Sequence, residues 1–198
     1  MKSKIIKIPN ISNWNGGLTK EYFIFPEGSS YKDRDFSFRI SAATVDISDS
    51  PFTNLSGFNR ALIPTSGDLE LLKDGKIIKI NKHDIFLFSG DDSIKSINPG
   101  TDFNLMVRKD LDFLINLINV RGEIILSCDD DMKKAVFVFP ATGEIDIKYD
   151  GVTKTILSNE LIIFEADKLS SIYINSNDEA KIIYGRIYLW VLKHMPKF

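Results

Sequence analysis

The chain has 198 residues, 25 of them Lys or Arg and 27 Asp or Glu, and a formal net charge of −2 without a basic block, which argues against nucleic acid as a partner. An apolar content of 43 % can build a real core, but no apolar run reaches the roughly 18–20 residues of a membrane helix, so no membrane partner is expected. Cys128 is the only cysteine and His83 and His194 are the only histidines, which removes an intrachain disulfide and most histidine-built metal sites and makes a reducing cytoplasm the expected compartment.

Met1-Lys2-Ser3-Lys4-Ile5-Ile6-Lys7 is charged and lacks a long apolar stretch, so no secretion signal is expected. Residues 4–8 read as a short edge strand, followed by a turn cluster at Trp14-Asn15-Gly16-Gly17. Gly16, Gly17 and Gly57 are expected to form turns that need positive φ. Thr19 to Phe25 is a predicted strand carrying Glu21, and the polar stretch 26–35 a surface loop. Phe36 to Val45 alternates at period two, which puts Arg39, Ser41 and Ala43 on one face and Phe38, Ile40 and Ala42 on the other. Residues 46–56 are a predicted loop containing Pro51-Phe52.

Ser66 to Phe88 returns later in the chain. Ser66-Gly67-Asp68-Leu69-Glu70-Leu71, Asp74-Gly75 and Ile85–Phe88 are matched by Thr142-Gly143-Glu144-Ile145-Asp146-Ile147, Asp150-Gly151 and Leu161–Phe164. The shift is constant, since 143 − 67, 151 − 75 and 164 − 88 are all 76. Each copy predicts a strand with an apolar and an acidic face, a tight turn at Asp-Gly, and an apolar strand buried on both faces. Between the copies, Phe103 to Val107 is a predicted strand with Asn104, Met106 and Arg108 on one face. Residues 111–120 fit a strand or a short helix, and Arg121-Gly122 reads as a turn. Asp129-Asp130-Asp131 allows a metal site or a solvated loop, and the loop is the reading taken; residues 181–192 are predicted as a final apolar strand or pair of strands. The expected fold is all-β, with two β-barrels from the internal repeat packed as one compact unit, the halves at about 1–118 and 119–198.

The repeat resembles the paired motifs of the cupin superfamily. On that resemblance Asn54, Ser56 and Arg60 fall at the His, His and Glu positions of the first motif, and His83, Ile94 and Asn98 at the Gly, His and Asn positions of the second. In the second copy the ligand positions carry Asp130, Met132, Val136 and Ser170. None of these is the metal ligand that a cupin usually places there, so neither metal nor other cofactor is expected.

Five words in order resemble the HutD/Ves family: Trp14-Asn15-Gly16-Gly17 with Thr19 and Glu21, Phe38-Arg39-Ile40-Ser41-Ala42-Ala43, Pro51-Phe52, Ser56-Gly57-Phe58-Asn59-Arg60, and Asp102 to Arg108. Leu18 and Asn59 depart from that pattern, where the family often has Gly and Asp. The resemblance implies a bacterial, cytoplasmic RmlC-like bicupin, in which an accessory or regulatory role in histidine utilisation has been proposed for some members and a stress-related one for others.

A guanidinium cannot coordinate a metal but suits a carboxylate, so Arg60 is the expected anchor of a small carboxylated metabolite. Arg39, Arg108, Asn104 and Ser41 lie on the more polar faces beside it, with Trp14 and Phe58 as walls. Glu21 is read as a partner for an arginine or a general base. His83 is expected at the surface, and His194, about 110 residues further on, in no shared site with it. The first expectation is a metal-free small-molecule-binding protein, monomeric or homodimeric. The alternatives are a metal-independent isomerase or lyase using Glu21 or Tyr22, and an interaction module without a ligand.

Overall fold

The computed structural model describes residues 2–128, 134–166 and 171–189; the acidic run 129–131 and the positions 132, 170 and 194 named above lie outside them. The described residues are β-structure and connections, with no helix long and apolar enough to cross a membrane among them. The chain forms two compact units, Ile8–Lys109 and a second that joins residues 2–7 to the described residues beyond Lys109.

The first strand, β1 (Lys2–Ile6), belongs to the second unit. The first unit then holds β2 (Asn10–Trp14), β3 (Gly17–Phe25), β4 (Phe38–Val45), β5 (Ser50–Pro51), β6 (Phe58–Ser66), β7 (Leu69–Lys73), β8 (Lys76–Ile80), β9 (Phe86–Ser89), β10 (Ile94–Ser96) and β11 (Gly100–Arg108). One sheet runs β2-β3-β4-β11-β6-β9 and the other β5-β10-β7-β8. Leu62 and Phe88 of the first sheet pack with Leu69, Leu71, Ile80 and Ile94 of the second in one apolar cluster.

The register of the larger sheet creates the site. β11 lies between β4 and β6, and its residues alternate in partner type. Phe103, Leu105 and Val107 pair with Ala42, Ile40 and Phe38 of β4, and all but Ala42 of these are fully buried. On the other face Met106 sits opposite both Arg39 and Arg60, Asn104 opposite Ser41 and Leu62, and Asp102 opposite Ala43 and Pro64. One row of apolar residues therefore backs one row of polar ones.

The second unit contains β12 (Phe113–Ser127), β13 (Lys134–Thr142), β14 (Ile145–Tyr149), β15 (Val152–Ile156), β16 (Leu161–Ala166) and β17 (Ser171–Tyr188). Its sheet runs β1-β16-β13-β17-β14-β15, with β12 also on β17. Five paired residues dock β1 onto β16. A cut of the chain near 118 would fall inside β12, and residues 111–120 are strand from Phe113 onward, not helix.

Asp74-Gly75 and Asp150-Gly151 close two-residue hairpins with φ of 51° and 74°, and of 47° and 76°, as the Asp-Gly signal requires. Two expectations fail locally. Arg121-Gly122 is not a turn: β12 continues through it with a bulge, because its partner β17 is long enough to hold both sides in register. Leu161–Phe164 is buried throughout, but in the first copy Leu87 is 60 % exposed, because β9 is an edge strand whereas β16 lies between β1 and β13.

Candidate functional site

The polar row of β11 lines a cavity of about 360 Å³ within the unit Ile8–Lys109. β4 contributes Arg39 and Ser41, β6 contributes Arg60, and β11 contributes Asp102, Asn104 and Met106. Trp14 and Thr19 reach it from β2 and β3, Tyr31 from the loop before β4, and Phe52 and Thr53 from the loop before β6. The volume suits a small metabolite.

The two arginines flank Met106, one on β4 and one on β6, in different company. Arg39 donates from Nε to Glu21 Oε2 at 2.6 Å and from a terminal nitrogen to Ser41 Oγ at 3.3 Å. Its guanidinium also lies 4.5 Å from the centre of the Tyr31 ring, a cation–π contact. Glu21 thus acts as the partner of an arginine, and Arg39 is neutralised.

Arg60 is 5 % exposed and, among the described residues, has no carboxylate in ion-pair contact. It donates to Asn104 Oδ1 at 3.3 Å and to the Thr53 carbonyl at 3.4 Å, both long, and its Nε has no hydrogen-bond partner. The rings of Phe52 and Phe88 stand 5.3 and 4.8 Å from it. Burial lowers its pKa most, Tyr31 and Asp102 oppose that, and the like charge of Arg39 adds to it. A guanidinium stays protonated regardless, so the cavity contains a buried cation that no described carboxylate pairs with directly, offset by two cation–π rings, two long hydrogen bonds and the more distant charge of Asp102.

Asp102 is 2 % exposed and its one hydrogen bond comes from Asn104 Nδ2 at 3.3 Å. Desolvation pushes its carboxyl up to about 6, against the smaller lowering effects of the Asn104 hydrogen bond and the charge of Arg60. Asp102 shares the period-two phase of Asn104 and Met106, the signal by which sequence could have found it. Tyr31, Phe52 and Thr53 come from loops, which carry no such phase.

Six of the eight expected residues converge here: Arg60, Arg39, Asn104, Ser41 and Trp14 line the cavity, and Glu21 holds Arg39. Two do not. Arg108 has the right phase but lies at the exposed end of β11, past the cavity. Phe58 is buried with Phe36, Leu55 and Met106, its ring 4.5 Å from that of Phe36, and does not line the cavity. Tyr22 is buried and pushed up to about 12 by desolvation, and does not line the cavity. His83 is half-buried with φ of 72°, not at the open surface, and also lies outside the lining.

A cupin metal does not fit this site. The cavity lining offers one carboxylate, no histidine and no cysteine, and a cation there would face two guanidinium groups. At the motif positions Asn54 and Ser56 are exposed and Ile94 is buried in the apolar cluster. Asn98 is spent on the backbone of Asp68 and Glu70. No group of three or more His, Cys, Asp or Glu among the described residues is placed to hold a metal.

The glycines beside Trp14 have separate reasons. Gly17 has φ of 150°, and a Cβ there would lie 1.8 Å from the Thr44 carbonyl oxygen. Gly16 has no positive φ; a Cβ there would meet the Trp14 ring at 2.2 Å, so its small size, not its backbone freedom, makes room for the indole.

No curated protein matches the chain. Among solved structures, a conserved protein of unknown function from Pseudomonas aeruginosa PAO1 is 19 % identical, over 95 % of this chain and 100 % of that one, at a TM-score of 0.84. HutD from Pseudomonas fluorescens SBW25, in a formate condition, is 18 % identical over 93 % and 98 %, at a TM-score of 0.73. The bacterial pirin YhhW of Escherichia coli, in complex with nickel(II), is 9 % identical over 94 % and 99 %, at 0.69. At these identities the likeness is one of fold, which is of the cupin type. The HutD family model matches residues 9–183, and the chain belongs to that family.

Proposed function

We propose that this chain is a metal-independent bicupin that binds a small carboxylated metabolite on Arg60, in an accessory or regulatory role in bacterial histidine utilisation. One observation carries the reading: Arg60 is buried, has no described carboxylate in ion-pair contact, keeps Nε unpartnered, and lines a cavity of about 360 Å³. Natural proteins seldom keep such a group without a use for it. A carboxylate entering the cavity would satisfy it through charge-assisted hydrogen bonds of about 1.5–3 kcal/mol each. Two of these with apolar burial against Phe52 and Trp14 reach micromolar affinity, about −8 kcal/mol. Membership of the HutD family supports the link to histidine utilisation.

The strand bounds support the repeat. β6, β7 and β8 start at 58, 69 and 76, and β13, β14 and β15 at 134, 145 and 152, a constant shift of 76. At that shift Val136 stands for Arg60 and Ala180 for Asn104, both buried in the apolar core of the second unit. The ligand site is therefore assigned to the first unit alone.

A second reading, a metal-independent isomerase or lyase, is favoured only by Asp102, a cavity carboxyl whose raised pKa suits proton transfer near neutrality. Glu21, tied to Arg39, and Tyr22, outside the cavity, serve it poorly.

The test is a thermal-shift screen with urocanate, formiminoglutamate, formylglutamate, glutamate, histidine, formate and phosphate. A carboxylate at about 100 times its dissociation constant adds roughly 2.7 kcal/mol, a shift of several degrees. The shift must vanish in Arg60→Ala. A shift that survives there removes Arg60 from the site, and turnover of the hit moves the assignment to the enzyme reading.

A further inference from the structure

The cavity holds a second group, of opposite sign, that lacks a direct ion-pair partner among the described residues. Asp102 is as buried as Arg60 and receives a single long hydrogen bond, although a carboxylate offers about four acceptor positions. The two charges line one cavity and do not pair with each other. Asn104 stands between them: its Oδ1 accepts from Arg60 and its Nδ2 donates to Asp102, the orientation that serves both neighbours. With two such contacts and the width of one amide, Arg60 Nη2 and Asp102 Oδ1 lie no more than about 9 Å apart.

Along β11 the lining is therefore polarised. Arg39 and Arg60 flank Met106 at one end, and Asp102 lies two inward positions away. Arg39 is already matched by Glu21, so among the described residues the cavity presents one cation and one carboxylate, within about 9 Å of each other, that act on each other through space but form no direct ion pair. A simple alkanoate would satisfy only the first, and a dicarboxylate would set its second charge against Asp102.

We infer that the cavity selects a bifunctional ligand, a carboxylate carrying an N–H donor a few atoms away, with Asp102 as the residue that reads the donor. This rests on the assignment of the ligand carboxylate to Arg60 and adds the specificity at the other end. Asp102 works here as a hydrogen-bond acceptor, so the preference belongs to its ionised form. The charged groups it shares the cavity with are Arg60 from β6 and Arg39 from β4, with Tyr31 from the loop before β4.

The experiment measures binding by calorimetry at pH 7.5 for three matched series: propanoate, butanoate and pentanoate; 3-aminopropanoate, 4-aminobutanoate and 5-aminopentanoate; succinate and glutarate. One ω-amino acid should bind about tenfold or more tighter than the alkanoate of equal length, and the dicarboxylates weakest. In Asp102→Asn the preference should fall to within about twofold while the alkanoates still bind, which also shows that the variant is folded. Asp102→Ser serves as a second variant should the first fail to fold. Equal binding of alkanoates and ω-amino acids, or tightest binding by glutarate, overturns this inference and leaves the carboxylate on Arg60 standing. Binding by none of the three series overturns the carboxylate assignment, and this inference with it.

Discussion

Arg39 and Arg60 are the two cross-strand partners of Met106, and only one of them is neutralised: Glu21 pairs with Arg39, and no described carboxylate pairs with Arg60. The site's chemistry follows from that asymmetry. A buried charge with no directly paired carboxylate carries a desolvation cost that an apolar side chain of similar volume does not. Arg60→Met, packed against Phe52 and Phe88, should therefore keep or raise Tm while carboxylate binding disappears. A fall in Tm of many degrees with binding intact would make Arg60 structural.

Glu21→Gln tests the other half. It removes the 2.6 Å ion pair and leaves Arg39 charged and 5 % exposed. Because the Glu21 side chain is itself partly solvated, the expected loss is about 1–3 kcal/mol, below that for a fully buried pair. The freed Arg39 should then tighten carboxylate binding. Denaturant unfolding of Glu21→Gln, Arg39→Met and the double variant gives the coupling directly. Additive losses would mean the pair contributes little.

Much of this site was legible in period-two phase. The phase of β4 placed Arg39 with Ser41, and that of β11 placed Asn104 with Met106, and both pairs face the cavity. Phase assigns a face and not a depth, which is why Arg108 was grouped with Asn104 although it sits beyond the cavity at the strand end. Position in the sheet decided Leu87, since an edge strand and an interior strand can share one apolar pattern. Gly122 carries a positive φ of 77° in a bulge as readily as in a turn, and only the partner strand tells them apart. Tyr31 and Thr53 come from loops, where contact with Arg39 and Arg60 follows from tertiary folding alone.

Asp102 makes stability depend on pH with a definite sign. Its folded pKa of about 6 lies above the ordinary 3.8, so the fold favours the protonated form. That contribution is fully present below about 3.8 and is lost as pH rises through about 6. A shift of about two units corresponds to roughly 3 kcal/mol. Asp102→Asn cannot ionise, so its stability relative to the parent should rise between pH 4 and pH 7.5, toward that value. Urea unfolding at pH 4, 5.5 and 7.5 measures it, and a difference that does not vary with pH would show that Asp102 titrates as an ordinary carboxyl.

The turn that delivers Trp14 to the cavity is the most constrained backbone beside it. At Gly17 a Cβ would lie 1.8 Å from the Thr44 carbonyl oxygen, an atom held by the β3–β4 ladder and unable to step aside. Gly57, also at positive φ (86°), has open space around its Cβ position. Gly57→Ala should therefore cost only the backbone term, about 1–2 kcal/mol. Gly17→Ala adds a backbone clash and should cost more than about 3 kcal/mol. It should also weaken ligand binding, because Ser12, Asn13, Trp14 and Thr19 reach the cavity on either side of that turn. Equal losses for the two variants would mean that β3 shifts away from β4 at little cost, and the Trp14 wall would then be adjustable and not fixed.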